Sequence, residues 1–446
     1  MKGSPSKKEK YDVILQGGTC IFPHNVGKAD IGLINGKISS FHPNLQHTKN
    51  IINCTNLVIF PGVIDSQVHF REPGLTHKED LETGSRAAAL GGVTAFLEMP
   101  NTKPPTTTCT HITEKVALAE NRAFAHFGFF IGATAKNLDE LIAAENCSGC
   151  VGIKIFLGSS TGDLLLYNQE ILEDIFRHTK LPIAIHSEDE TRLRERESIR
   201  NQATHARQHP EWRDVETALR STKMILELAR KCQRRIHILH ISTGEEIQLL
   251  RQYRDTATVE LLPQHLTLHA PDCYDRLGTY AQMNPPIRER HHQDALWRAL
   301  TDGVIDIIGS DHAPHTRAEK EHSYPDTPSG LPGVQTLLPL MLHHSLEGKL
   351  SLLHLAKLLS ENPANLYGLK HKGKIALGYD GDFSIVDLQA SSTIRHNQMA
   401  SRCGHTPYDG MKVKGKVCMT ILNGNVSMQD GVLSGKPLGE ILSTEV

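Results

Sequence analysis

Eight short apolar runs rich in β-branched residues recur along the middle of this 446-residue chain, at 61–70, 93–99, 126–133, 151–157, 182–187, 236–242, 258–263 and 304–310. Amphipathic stretches separate most of them, including 79–90, 111–122, 168–178, 214–232 and 245–254. Strands that alternate with helices pair in parallel, and strands buried on both faces read as continuous apolar runs. Eight β-then-α units therefore predict an α/β fold, a (β/α)8 TIM-like barrel over 61–370. A doubly wound open sheet is the competing fold. It calls for a Gly-x-Gly-x-x-Gly turn after the first strand, and that turn is missing.

The flanks follow a different rule. Residues 11–60 and 371–446 carry short strand-like runs and two Asn-Gly hairpin signals, Asn35-Gly36 and Asn423-Gly424. Both ends are expected to pair into one small β-sandwich domain, with the return to it marked by Gly378 to Gly381. A chain of this length exceeds one ordinary core, which fits a large domain plus a small one. Residues 1–10 are polar and lysine-rich with no apolar stretch after them, so they read as a disordered lead-in rather than a signal peptide. Two long polar segments, 190–213 and 315–330, are expected as loops over the barrel mouth.

Composition removes several classes of function. A net charge of −2 without long basic runs gives no footing for nucleic acid, and no apolar run reaches the length of a membrane span. Nine cysteines are too sparse for a disulfide scaffold and point to a reducing, cytoplasmic setting. The single Cys147-x-x-Cys150 pair lacks a second pair with which to bind zinc.

The informative polar residues fall at strand ends. In an extended strand Asp65, Gln67, His69 and Arg71 would share a face, with Val68 and Phe70 opposite. Lys154 interrupts an apolar strand, while His186, His240 and Asp311 close three others. Taken singly, each has a plain explanation: a wet edge strand, a satisfied imidazole, a buried ion-pair lysine, a capping aspartate. Together, three histidines, a lysine and an aspartate meeting at the C-terminal mouth of one barrel are the ligand set of a divalent metal centre such as Zn2+. A neutral lysine amine can also take up CO2 as a carbamate, whose two oxygens can bridge two cations. A metal of this kind activates water and polarises a carbonyl, and a neighbouring carboxylate, here Asp311, can move the proton.

The order and spacing of these residues resemble the amidohydrolase superfamily and, within it, the dihydroorotases of the longer bacterial type. The segments that carry the resemblance are Val68-His69-Phe70-Arg71-Glu72-Pro73-Gly74, Glu98-Met99-Pro100-Asn101-Thr102, Gly152-Ile153-Lys154, Ile185-His186-Ser187-Glu188, Leu239-His240-Ile241-Ser242-Thr243, Asn284-Pro285-Pro286-Ile287-Arg288 and Gly309-Ser310-Asp311-His312-Ala313-Pro314-His315. The resemblance implies interconversion of N-carbamoyl-L-aspartate and L-dihydroorotate in pyrimidine biosynthesis. It places Gln67, His69, Lys154 and Asp311 around one metal and Lys154, His186 and His240 around the other, with Lys154 N6-carboxylated. It assigns Arg71 and Asn101 to the substrate carboxylate, with His69, Asn284, His315, Ser329 and Gly330 also contacting substrate. Homodimerisation and a complex with aspartate carbamoyltransferase are further expectations of the resemblance.

One departure matters. Such enzymes carry a second histidine where this chain has Gln67, and an amide oxygen is a weaker zinc ligand than an imidazole. One firmly bound metal and a second that is weak or absent is the expectation. The rival readings are a hydantoinase- or allantoinase-type cyclic amidase, which would not need Arg71, and an inactive scaffold partner of aspartate carbamoyltransferase.

Overall fold

The computed structural model describes residues 11–46, 48, 50–158 and 164–445, so the proposed lead-in at 1–10 lies outside the described residues. Eight parallel strands form the central sheet in chain order: β1 (Val63–Val68), β2 (Val93–Glu98), β3 (His126–Gly132), β4 (Cys150–Phe156), β5 (Ile183–His186), β6 (Ile236–Ile238), β7 (Ala257–Leu261) and β8 (Ile307–Ile308). Each apolar run of the sequence contributes one strand. A helix follows each: α1 (Leu81–Leu90), α2 (Cys109–Ala119), α3 (Leu138–Ala143), α4 (Gln169–His178), α5 (Val215–Lys231), α6 (Gly244–Leu250), α7 (Arg290–Thr301) and α8 (Leu337–Leu346). The starts are chemically specified. Asp80 caps α1 and Thr243 caps α6, each in a reciprocal capping box, with Thr83 and Glu246 respectively.

Closure of the barrel is less regular than its other seams. Among the described residues no ladder joins β1 to β8; a single parallel bridge, Val68 to His312, spans them. His69 N donates to His312 O at 2.7 Å, and Ser310 N donates to Asp65 Oδ1 at 3.0 Å. Asp65 also accepts from Gln67 N at 3.3 Å, and β1 is irregular between Asp65 and Val68. The side chain of Asp65 thus replaces a missing strand contact at the end of the barrel where the polar residues gather.

The two chain ends build two further sheets. A four-stranded sheet runs Lys37–His42, Asp30–Ile34, Val13–Gln16, Ile51–Asn53, and a seven-stranded sheet runs from Val432–Leu433 to Val26–Lys28 through Phe383–Thr393 and Val58–Pro61. Leu15, Ile31, Ile59, Phe383 and Ile421 lie in the core that the two sheets share. Both Asn-Gly pairs form turns with positive φ at each residue (52° and 73°; 48° and 78°), the backbone that Gly favours and Asn tolerates. The segment after these sheets continues to the barrel. Leu442 N donates to Phe127 O, and Leu442 packs with Tyr367 and Leu369 against the barrel-interior residues Ile64 and Ile307.

Asp382 fastens the small sheets to the barrel. It accepts from Lys372 Nζ at 2.6 Å and Asn423 N at 2.8 Å, and lies 3.3 Å from Nε2 of His126 on β3. Burial opposes ionisation, but Lys372 and His126 outweigh it and hold this carboxyl well below the usual carboxylate range. Its stabilising contribution is therefore complete above the unfolded-state carboxylate pKa of about 4 and is lost as pH falls through the depressed folded value. Asp382→Ala leaves Lys372 buried beside Asp380 alone and should cost ~3–5 kcal/mol in urea unfolding at pH 7. The cost should shrink at pH 3 and below; a cost independent of pH would exclude the ion pair as its source.

Candidate active site at the barrel mouth

Gln67 lies in β1 and His69 just beyond it; Lys154 is in β4, His186 ends β5, and His240 and Asp311 follow β6 and β8. These six side chains line one cavity of about 160 Å³ together with Arg71, Asn101, Asn284, His315, Ser329 and Gly330. All twelve residues proposed from sequence therefore meet at one place. Asp65 does not line the cavity; it lies at the closing seam below. The extended backbone assumed for 65–71 ends at Val68, and Arg71 reaches the cavity from a left-handed turn with φ 67°. His240 and Asp311 also adopt positive φ, 38° and 44°. For residues other than glycine such backbone costs of order 1–3 kcal/mol each and persists where the surroundings enforce it.

The geometry falls into two halves. On one side, His69 Nε2 and Gln67 Nε2 each lie 3.0 Å from Asp311 Oδ1, and His69 Nδ1 lies 2.5 Å from Asn101 Oδ1. Gln67 Oε1 is buried without a hydrogen-bond partner among the described residues. On the other side, His186 Nδ1 faces His240 Nε2 at 3.0 Å, while His186 Nε2 donates to Glu188 Oε2 at 2.8 Å. Arg213 grips Glu188 through Nε and Nη2 at 3.0 and 2.7 Å. Between the halves sits Lys154, whose Nζ has no hydrogen-bond partner among the described residues and lies 4.5 Å from the Phe156 ring centroid.

Burial sets the charge states. It pushes the His69, His186 and His240 imidazoles down, and His186 and Lys154 depress His240 further. It pushes the Lys154 amine down to about 7. Glu188 stays ionised despite burial because Arg213 and His186 favour its charged form. Three neutral imidazoles, a carboxylate and an orphaned buried amine and amide oxygen facing one cavity are donor chemistry suited to a divalent cation. Among the described residues no three His, Cys, Asp or Glu side chains cluster closely enough to hold one by themselves.

Cationic and imidazole groups gather at the rim. Arg71 is buried, donating Nε to Pro314 O at 3.3 Å with Nη2 3.4 Å from His315 Nε2, and it makes no ion pair among the described residues. Burial lowers it to about 10, so it stays charged at neutral pH. His315 lies 3.1 Å from Lys78 Nζ through Nδ1 and 3.1 Å from Ser329 O through Nε2. Gln282 Nε2 donates to Ser329 Oγ at 3.0 Å, and Gly330 N donates to Gln282 O at 3.0 Å, which fixes the Ser329-Gly330 backbone. At Gly330, with φ 148°, a Cβ would meet Ala313 O at 2.3 Å.

Sequence reading passed over Glu188, Arg213, Lys78 and Gln282 as functional residues. Glu188 had a usable signal, a carboxylate two residues past a strand-end histidine. Arg213 had none, since it sits in the charged stretch 190–213. That stretch is not an irregular loop; helices Glu190–Glu195, Glu197–Gln202 and His209–Trp212 occupy much of it. In the Cys147-x-x-Cys150 pair, Cys150 is buried in β4, and Cys147 Sγ contacts Cys109 O at 3.7 Å.

The sequence profile of the amidohydrolase family matches residues 58–427. A dihydroorotase of Methanosarcina acetivorans is 34% identical over 97% of this chain and 95% of its own length. An allantoinase of Deinococcus radiodurans is also 34% identical, over 97% and 98%. The crystal structure of an L-hydantoinase (dihydropyrimidinase) from Arthrobacter aurescens superposes with a TM-score of 0.93 at 28% identity, covering 98% of this chain and all (100%) of that one. Glu188→Gln keeps the shape but weakens the acceptor that orients His186; metal affinity should fall ~10–100-fold by chelator competition. An unchanged affinity would remove His186 from the metal set.

Proposed function

This chain belongs to the amidohydrolase family, whose cyclic amide hydrolases are metal-dependent, and from that premise we propose that it is a dihydroorotase, interconverting L-dihydroorotate and N-carbamoyl-L-aspartate in pyrimidine biosynthesis. The observation that carries this reading is Arg71, a buried guanidinium that makes no ion pair among the described residues and is open to the cavity. An unpaired buried charge is costly unless a ligand answers it. Both the ring form and the open form of this substrate bring a carboxylate. Allantoin and hydantoin bring none, although an allantoinase is as similar in sequence as a dihydroorotase.

The cation, zinc in this reading, would be held by His69, Lys154, His186, His240 and Asp311, with Lys154 carboxylated and Gln67 a poor ligand. When bound it supplies Lewis acidity and acidifies water. The chain's own groups do the rest. Arg71 and Asn101 hold the carboxylate, a pairing for which the guanidinium fork is shaped. Asn284 and the Ser329-Gly330 backbone hold the ring, with His315 beside them. Asp311 Oδ1, already within 3.0 Å of His69 Nε2, takes the proton of the attacking water and passes it to the departing ring nitrogen.

Gln67 points its amide nitrogen at Asp311 and so offers the carboxylate a donor where a second imidazole would offer a cation a lone pair. Metal analysis should return about one tight ion per chain, rising towards two in Gln67→His. Two tight ions in the unaltered protein would contradict this. Arg71→Met should lower kcat/KM for dihydroorotate ~10²-fold or more while metal content stays the same. Surviving turnover would sink the carboxylate assignment.

A further inference from the structure

His209 is buried in the segment between β5 and α5, at the start of the short helix His209–Trp212, and it does not line the catalytic cavity. Its hydrogen bonds nevertheless end on a residue that does. Nε2 lies 2.9 Å from Asn284 Oδ1 and 3.1 Å from Met283 O, and Nδ1 lies 3.3 Å from Tyr324 Oη. A backbone carbonyl can only accept, so the contact to Met283 requires the hydrogen on Nε2. The Asn284 atom facing the same nitrogen must then be an acceptor, its Oδ1. The Asn284 NH2 is left to the cavity that this residue lines. With Nε2 protonated in a neutral ring, Nδ1 accepts from the Tyr324 hydroxyl. Burial, reinforced by Arg213, pushes this imidazole down to about 3, so the neutral ring persists across the physiological range. Trp212 and Tyr324 pack edge-on against it, with ring centroids 5.9 and 5.7 Å away.

We infer that His209 is a positioning residue that locks the Asn284 amide with its NH2 towards the substrate, so that position 284 selects for a carbonyl or carboxylate oxygen. Three βα segments meet in this one chain of hydrogen bonds: His209 after β5, Asn284 after β7 and Tyr324 after β8. Without His209 the amide can turn over and present its oxygen instead, repelling the same substrate atom. The inference rests on the proposed contact between Asn284 and substrate, and it adds the residue that determines the polarity of that contact.

The test is a double-mutant cycle on the full-length, metal-loaded protein with L-dihydroorotate as substrate. His209→Phe keeps the ring volume and removes the donor; kcat/KM should fall ~10²-fold with melting temperature and metal content unchanged. His209→Gln, whose amide can still donate, should recover most of that loss. Combining His209→Phe with Asn284→Ala should cost no more than Asn284→Ala alone, because His209 acts through Asn284. Additive losses, or a His209→Phe variant as active as the parent, would overturn the inference. If His209→Phe does not fold, His209→Asn, with its shorter reach, carries the same cycle. Failure of the unaltered protein on dihydroorotate is a different result. It refutes the substrate reading, and the cycle is then run with whichever of allantoin or hydantoin is hydrolysed. Turnover of none of the three overturns both.

Discussion

The seam between β1 and β8 is the contact on which the site depends. Every other pair of neighbouring barrel strands is joined by a ladder; here, among the described residues, one bridge, Val68 to His312, is supplemented by side chains, Asp65 on Ser310 N and Gln67 and His69 on Asp311. The consequence is positional. Closing the seam sets residues from the two ends of the barrel sequence side by side, His69 and Asp311 within 3.0 Å. A regular ladder would run both strands past this point. Ending them early frees Arg71 and Asp311 to take left-handed backbone and turn into the mouth. Strain of this type survives only where packing over-determines it, and Phe70, wedged against Phe96 and His312, supplies that packing beside it.

Burial then does the electrostatic work. Desolvation is the largest influence on each imidazole and on Lys154, and in each case it favours the neutral form that a cation can bind or CO2 can modify. Charges that survive burial are the ones with a stated answer. Glu188 is answered by Arg213 and His186. Arg71 makes no ion pair among the described residues and is favoured in its charged form by Asp311, Glu319 and Glu79 without contact; in the proposed reading it is the group that would distinguish a carboxylate-bearing substrate from its neutral relatives. Family membership alone does not make that distinction, since dihydroorotase and allantoinase relatives are equally similar.

Much of this could be read from the sequence, and the physical reasons are specific. Parallel barrel strands are buried on both faces, so a charged or imidazole side chain at the end of an apolar run stands out; Lys154, His186 and His240 were visible for that reason. The Asn-Gly turns were legible because few other pairs accept positive φ at both positions. What stayed hidden depends on contacts between distant segments. The Glu188–Arg213 pair links a strand end to a charged stretch that resembles solvated surface. The turn at Arg71 follows from the early end of β1, which alternation cannot reveal. The run of the C-terminal segment under the barrel, with Leu442 against Phe127 and Tyr367, leaves no periodic trace in so short a stretch.

The most direct measurement is the ratio of kcat/KM for L-dihydroorotate to that for allantoin and for hydantoin, taken on the metal-loaded protein at neutral pH. A guanidinium that meets a substrate carboxylate should favour dihydroorotate by ~10²-fold or more. Equal turnover of the three, or a preference for either neutral ring, would contradict the reading of Arg71 on which the assignment rests.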